Sequence, residues 1–130
     1  MREIRVLPVQ YRVYDQTGKL KRIIDKKRES EVTEQEWLGG VTCFVINESN
    51  EVLIEKRVNK GLTPGKLDLC SGHIDGEETE TQAMIRELRE ELGIEFDEAI
   101  NVMKITQKPL PLKFESSGKY KNFFISFYCL

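Results

Sequence analysis

The spacing of apolar residues predicts a chain made mainly of short β-strands. Uninterrupted apolar character over residues 41–46 indicates a strand that is buried on both faces. The polar stretch 47–50 has the composition of a hairpin turn, so a partner strand is expected to start at Val52. Further strands are predicted at 5–14, 20–24, 67–70, 102–106 and 123–130. Residues 26–36 favour no element, 58–66 indicate a loop, and Pro109 and Pro111 indicate a kink.

One long helix is predicted over residues 79–92. Thr79 is a candidate for its N-cap, with Glu77 and Glu78 as alternatives, and Gly93 stands where helices commonly end in left-handed backbone. Strands that flank one long helix in mixed order are typical of an α/β or α+β sandwich. No internal repeat or linker divides the sequence, so residues 1–130 are expected to form a single domain.

Composition narrows the class of protein. The chain has 130 residues, of which 39% are hydrophobic and 32% charged, which is typical of a soluble globular domain. No apolar run is long enough to span a bilayer, and the first five residues lack the apolar segment of a secretory signal. The three cysteines are too few and too scattered for a disulfide framework or a zinc site. We therefore expect a cytoplasmic location.

The net charge of -2 conceals an acidic block, because residues 71–100 contain ten acidic and two basic side chains. A solvated acidic face is one interpretation of this block. The other is a site for a multivalent cation, since such a block attracts cations and repels nucleic acid.

The spacing within the predicted helix favours the cation site. At about 100° per residue, Glu87, Glu90 and Glu91 share one face. An apolar stripe that could pack on a sheet comprises Ile85, Leu88 and Leu92. Like charges four residues apart cost about a few tenths of a kcal/mol, and a hard divalent cation would remove that repulsion by using the carboxylate oxygens as ligands. Pairing of Arg86 with Glu90, which would leave the other two glutamates unpaired, is the local alternative.

A longer motif surrounds this helix. Gly72 is followed after five residues by Glu78, and after seven more residues by the run RELREELGI at 86–94. This arrangement resembles the Nudix box, whose nine specified positions are all filled here across 23 residues. By this motif the chain is identified as a member of the MutT-like Nudix hydrolase family.

The resemblance implies a fold, an activity and a cofactor. The fold would be an α/β/α sandwich with a mixed sheet, in which the box forms a loop-helix-loop. The activity would be hydrolysis of a nucleoside diphosphate linked to another group, dependent on Mg²⁺ or Mn²⁺. The partner would be a small-molecule diphosphate, not a nucleic-acid polymer or a membrane.

The resemblance also implies roles for single residues. The metal ligands would be Glu87, Glu90, Glu91 and the backbone carbonyl of Ser71. The general base would be one of these glutamates, and Glu90 is our choice. Arg86 would orient the glutamates, Glu78 would brace the loop, and Gly72 and Gly93 would be structural positions of the motif. The chain departs from many members by having Cys70-Ser71 before the first glycine and Glu77 before the box glutamate.

Two other functions are weighed against hydrolysis. Parts of the segment 13–78 are similar to Nudix proteins related to isopentenyl diphosphate isomerase, which uses a cysteine beside a Gly-His pair and a histidine-rich metal site. His73 is the only histidine here, and Cys70 stands one residue further from Gly72-His73 than that motif requires. A non-catalytic nucleotide-sensing module would be indicated by loss of box glutamates, and none is lost. The intact box favours hydrolysis.

Residues outside the box carry weaker signals. Arg57 and Lys56 are either surface charges or contacts to substrate phosphate, because basic residues at a strand end suit an anionic ligand. Trp37 is either a packing residue or a stacking surface for a base.

The end of the sequence carries one further expectation. The family usually continues past the strand at 123–130 into a second long helix and often a further carboxylate, so we expect the domain to be incomplete at its C-terminal end. We also expect an apolar sheet face that a longer chain or a second copy, as a homodimer, would cover.

Overall fold

A mixed β-sheet forms the centre of the computed structural model, which describes residues 9–56, 67–116 and 118–130. The strands are β1 (Gln10–Tyr14), β2 (Leu20–Asp25), β3 (Trp37–Phe44), β4 (Glu55–Lys56), β5 (Leu67–Asp68), β6 (Cys70–His73), β7 (Met103–Lys104), β8 (Leu110–Ser116) and β9 (Lys119–Cys129). The helices are α1 (Glu80–Leu92), α2 (Phe96–Ala99) and a 3₁₀ turn at Lys26–Glu31.

Seven strands form the main sheet, in the order β2-β1-β3-β9-β7, with β6 beside β3 and β8 beside β9. The β3–β9 pair is parallel and the other pairs are antiparallel. A separate pair is formed by β4 and β5. The predicted α+β fold with a mixed sheet is therefore confirmed.

Two apolar cores lie on the two faces of this sheet. On one face, side chains of β3 and β9 pack against α1; this core includes Val41, Cys43, Met84, Leu88 and Tyr128. On the other face, a smaller core includes Tyr11, Val13, Ile24 and Leu38. None of the helices within the described ranges has the length and apolar character needed to cross a bilayer.

Helix α1 begins and ends as predicted. The Thr79 hydroxyl accepts a hydrogen bond from the Gln82 amide at 3.1 Å, and the Gln82 side chain accepts one from the Thr79 amide at 2.9 Å. This reciprocal capping box fixes the first turn. Gly93 ends the helix with a φ of 68°, in the left-handed region.

Two predictions about the strands need correction. The partner expected from Val52 is present only as a short pairing, with a bridge of Val52 to Ile46 and a hydrogen bond from the Leu53 amide to the Val45 carbonyl at 2.8 Å, and the chain next pairs at β4, with β5. The predicted kink at Pro109 and Pro111 is instead the start of β8. Pro111 is tolerated because β8 pairs with β9 alone and lies at the sheet edge, where one row of amides has no partner. The loop predicted at 58–66 and the start of the first strand lie outside the described residues.

Candidate active site

Strand β6 and helix α1 enclose a cavity of about 320 Å³ at the edge of the sheet. From β6 the lining residues are Ser71, Gly72 and His73, and from α1 they are Arg86, Glu87, Glu90 and Glu91. These two elements are consecutive in the chain, and α1 packs on β6, so the box motif folds back on itself. The structure therefore brings together all the residues proposed as metal ligands.

Arg86 binds three carboxylates at once. Its Nε and Nη2 donate to the two oxygens of Glu78 at 2.7 and 2.9 Å. Its Nη1 donates to Glu87 at 2.8 Å and to Glu90 at 3.2 Å, and Nη2 also donates to the carbonyl of His73 at 3.0 Å. These bonds raise the Arg86 pKa further above its usual range. The alternative predicted from the sequence, in which Arg86 pairs with Glu90 and leaves Glu87 unpaired, is only partly right, because Arg86 also binds Glu87.

The loop before α1 is attached to β1. The Asp75 amide donates to Glu78 Oε1 at 2.8 Å, so Glu78 bonds to both the loop and Arg86. The guanidinium of Arg12 donates to the carbonyls of Gly76 and Glu78, the latter at 2.9 Å. Sequence analysis did not identify Arg12, because its partners lie more than sixty residues further along the chain.

Glu87 differs from the other glutamates of α1 because it is buried. Its carboxyl group lies directly against Gly72, where an added Cβ would be 2.1 Å from Glu87 Cδ. Burial raises the Glu87 pKa, and Arg86 opposes that shift. Glu90 and Glu91 remain exposed. The predicted carboxylate face therefore has one buried member and two members in contact with solvent.

A chain of neighbouring carboxyls runs from α1 to β4. Partial loss of hydration, followed by the neighbouring carboxyls of Glu55 and Glu87, raises the Glu91 pKa to about 8. The like charges of neighbouring carboxyls repel, which favours the neutral form of Glu91. Glu55 was not identified from the sequence, since it lies on a separate strand pair.

The carboxylate oxygens around this cavity are suitable ligands for a hard divalent cation. Carboxylate oxygens that crowd and repel one another are the ligands that Mg²⁺ and Mn²⁺ prefer. Gly72, by lacking a side chain, leaves room for the Glu87 carboxyl beneath β6. In the part of the chain that the structure describes, no group of three or more Asp, Glu, His or Cys side chains is already arranged around one point. Arg86 occupies oxygens of Glu87 and Glu90 that a cation would take.

His73 and Cys70 are packed side chains. The His73 ring stacks on Tyr11 with 4.2 Å between centroids, and burial lowers its pKa to about 4, which keeps the ring neutral. Cys70 is 3% exposed, and burial raises the pKa of its thiol. Neither environment resembles an open acid–base pair.

Of the two residues predicted to contact substrate phosphate, the structure describes only Lys56. Arg57 lies outside the described residues. Lys56 is exposed on β4 and is not among the residues that line the cavity. Lys26, from the 3₁₀ turn that follows β2, lines it instead. No local sequence signal marks Lys26, because the pairing of β1 with β2 brings it there.

Two curated proteins are similar to part of this chain. The chain is 44% identical over 51 residues to the 8-oxo-dGTP diphosphatase of Escherichia coli, covering 39% of this chain and 40% of that protein. It is 34% identical over 55 residues to the CTP pyrophosphohydrolase of the same organism, covering 42% and 41%. The matched segment thus spans about two fifths of each of these curated relatives.

Solved structures share the fold at low identity. The Deinococcus radiodurans protein DR0079 has a TM-score of 0.65 at 23% identity, covering 93% of this chain and 70% of that one. The MutT protein of Methanosarcina mazei has a TM-score of 0.54 at 23% identity, covering 72% and 62%. The sequence profile of the NUDIX domain matches residues 36–128, which is most of the chain and includes the whole box. The chain belongs to the NUDIX domain family.

Proposed function

We propose that this protein hydrolyses the diphosphate linkage of a nucleoside diphosphate derivative with the help of Mg²⁺ or Mn²⁺. The observation that carries the proposal is the cavity between β6 and α1, which places Glu87, Glu90 and Glu91 around one space beside Arg86. The names of the curated relatives, an 8-oxo-dGTP diphosphatase and a CTP pyrophosphohydrolase, support a nucleotide as the substrate.

The proposed metal ligands are Glu87, Glu90, Glu91 and the carbonyl of Ser71. A divalent cation bound there would neutralise phosphate oxygens and lower the pKa of a bound water. Arg86 orients Glu87 and Glu90, because its Nη1 hydrogen-bonds both carboxylates. We propose Glu90 as the group that takes a proton from the attacking water, since its carboxylate is exposed and lines the cavity.

The proposed substrate contacts follow from charge. Lys26 lines the cavity and supplies a cation opposite the acidic face of α1, where it suits a phosphate oxygen. The contact predicted for Arg57 stays a prediction. In the reaction, a water oxygen forms a bond to one phosphorus, and the bridging oxygen leaves with the other phosphoryl group.

Hydrolysis in H₂¹⁸O tests this function. CTP, 8-oxo-dGTP, ADP-ribose and a dinucleoside polyphosphate are incubated with Mg²⁺ or Mn²⁺, and the products are separated by liquid chromatography with mass detection. We expect one substrate to give two phosphate-containing products, one of which carries a single ¹⁸O, and a chelator to prevent turnover. Turnover of no substrate with either metal would contradict the proposal. Isopentenyl diphosphate is incubated in the same way. Its isomerisation without incorporation of ¹⁸O would favour isomerase activity over hydrolysis.

A further inference from the structure

Strand β1 holds the loop of the box motif at two adjacent points. The Gln10 amide donates to Asp75 Oδ1 at 2.8 Å, and the Gly76 amide donates to the Gln10 carbonyl at 2.7 Å. Tyr11 lies opposite Asp75 in a β-bridge. These contacts join parts of the chain that are more than sixty residues apart, so the position of the loop depends on β1.

The Tyr11 side chain makes a further contact, with the last residue of β6. Its ring stacks on the ring of His73, with 4.2 Å between centroids and 9° between planes. Phe123 meets the His73 ring edge to face, with 5.3 Å between centroids. Tyr11 is 4% exposed, and it belongs to the smaller core on that face of the sheet. The His73 ring is therefore fixed by two aromatic neighbours.

The backbone of His73 links this stack to Arg86. Its carbonyl accepts a hydrogen bond from Arg86 Nη2 at 3.0 Å, and the same nitrogen donates to Glu78 at 2.9 Å. In the described part of the chain, every other acceptor of Arg86 is a carboxylate oxygen at the end of a side chain. The His73 carbonyl belongs instead to a paired strand, because His73 lies opposite Gly40 of β3. It therefore attaches the guanidinium to the sheet.

The imidazole nitrogen of His73 has no visible use. Nε2 is buried and has no hydrogen-bond partner among the described residues. A buried polar atom without a partner is destabilising, and substrate in the cavity would not reach it. The aromatic ring, and not the nitrogen, is therefore the part of His73 that the neighbouring residues use.

We propose that Tyr11 and His73 are positioning residues of the proposed hydrolytic site. Their stacked rings fix the end of β6, so that the His73 carbonyl holds the Arg86 guanidinium in the orientation that binds the α1 glutamates. This role rests on the proposed function, in which Arg86 orients the metal ligands. Neither ring binds the metal or takes part in bond making.

The Arg86 side chain gives a readout that needs no substrate. Its Nε–H donates to Glu78 at 2.7 Å and is partly buried, which slows its exchange with water and makes it observable in ¹⁵N–¹H NMR spectra. Arg86→Lys identifies the signal by removing it. We expect the signal to remain in Tyr11→Phe, which keeps the ring. It should be lost in Tyr11→Leu, which keeps an apolar side chain without a ring.

Val13→Ala is the matched control for loss of core packing. Val13 is 0% exposed, lies on the same strand and in the same core as Tyr11, and does not line the cavity. This variant should lower the melting temperature and leave the Arg86 signal in place.

Turnover measures the same effect in the complete reaction. At saturating metal and substrate, Tyr11→Leu and His73→Ala should each lower kcat at least about tenfold. Tyr11→Phe and His73→Phe should keep kcat close to that of wild type, because each retains a stacked ring. His73→Phe should also keep or raise the melting temperature, since it removes the unpartnered nitrogen.

Several outcomes would overturn these roles. An unchanged Arg86 signal in Tyr11→Leu, or a wild type without such a signal, would show that the stack does not hold the guanidinium. Loss of the signal in Val13→Ala would show that any loss of core packing has the same effect. Loss of kcat in His73→Phe would assign a chemical role to the imidazole. If wild type turns over no substrate, the proposed function fails, while the NMR comparison still decides whether the stack positions Arg86.

Discussion

A side chain at position 72 would occupy the space that the carboxyl group of Glu87 fills. A Cβ atom on Gly72 would lie 2.1 Å from Glu87 Cδ and 2.2 Å from its Oε1. Because these atoms are the end of a flexible side chain, they can move away at small cost to the fold. The position of the Glu87 carboxyl, and not the backbone conformation, is therefore what this glycine protects.

Gly72→Ala should separate activity from stability. We expect hydrolysis to fall at least about tenfold, because the carboxyl moves away from the cavity, while the melting temperature changes little. Gly39→Ala is the matched control, since its added Cβ would contact the flexible end of Ile74 at 3.2 Å and no carboxylate. Steady-state kinetics with thermal melts measure both effects. Equal loss of activity in the two variants would show that Glu87 is not the affected group.

Arg12→Ala should loosen the loop that holds Glu78. Two hydrogen bonds from the Arg12 guanidinium to the carbonyls of Gly76 and Glu78 are lost. We expect kcat to fall about 10–100-fold, which is the usual effect of removing a residue that orients metal ligands without binding the metal itself. Arg12→Lys, which can keep one bond, should recover part of kcat. If both variants have wild-type kcat, the attachment to β1 has no role in orienting the site.

The prediction of α1 from sequence succeeded because its determinants are local. Thr79, Gln82 and Gly93 specify the caps within one turn of each end, and helical periodicity alone places the glutamates together. Lys26 and Glu55 could not be found in this way. They reach the site through strand pairings that bring distant parts of the chain together, and sequence spacing does not report such pairings.

The strand errors have the same origin. Pro111 is compatible with β8 only because that strand lies at the edge of the sheet, which is a property of the assembled fold. Val52, by contrast, has the local preference of a strand residue, but the pairing there is short: beyond its bridge to Ile46, the Leu53 amide donates to the Val45 carbonyl at 2.8 Å, and the next strand begins only at Glu55.

Divalent cations should stabilise the native protein. A ligand that binds only the folded state contributes about 2.7 kcal/mol at a hundred times its Kd, so Mg²⁺ or Mn²⁺ should raise the melting temperature by several degrees. Glu87→Gln combined with Glu91→Gln should remove most of this increase. Thermal melts across a metal titration measure it. An increase of the same size in the double variant would place the cation elsewhere.

Glu36 should make stability depend on pH. It is 4% exposed and accepts hydrogen bonds from Lys21 at 2.7 Å, from Arg22 and from the Thr33 amide at 3.0 Å. The bonds from Arg22 and Lys21 hold the Glu36 pKa well below its usual range. The folded state therefore keeps this carboxylate ionised at pH values where the unfolded chain binds a proton.

The sign of the pH effect follows from this lowered pKa. Stability from Glu36 is complete above the unfolded pKa of about 4.3 and is lost as pH falls below it. At pH 7, Glu36→Gln should cost about 1–3 kcal/mol of unfolding free energy. This difference in unfolding free energy, measured by urea denaturation, should shrink as the pH falls from about 5 to about 3, because the unfolded chain binds a proton at Glu36 over that range. A difference that stays constant with pH would mean that the charge of Glu36 contributes nothing.

The most direct test of the central claim is the turnover of one substrate by wild type and by two single-glutamate variants at saturating Mg²⁺. Glu90→Gln and Glu91→Gln should each lower kcat at least about 100-fold, with melting temperatures close to that of wild type, because both side chains are exposed. Glu98→Gln, an exposed glutamate of α2, should retain wild-type kcat. Wild-type kcat in either Glu90→Gln or Glu91→Gln would contradict the assignment of the α1 glutamates to metal-assisted hydrolysis.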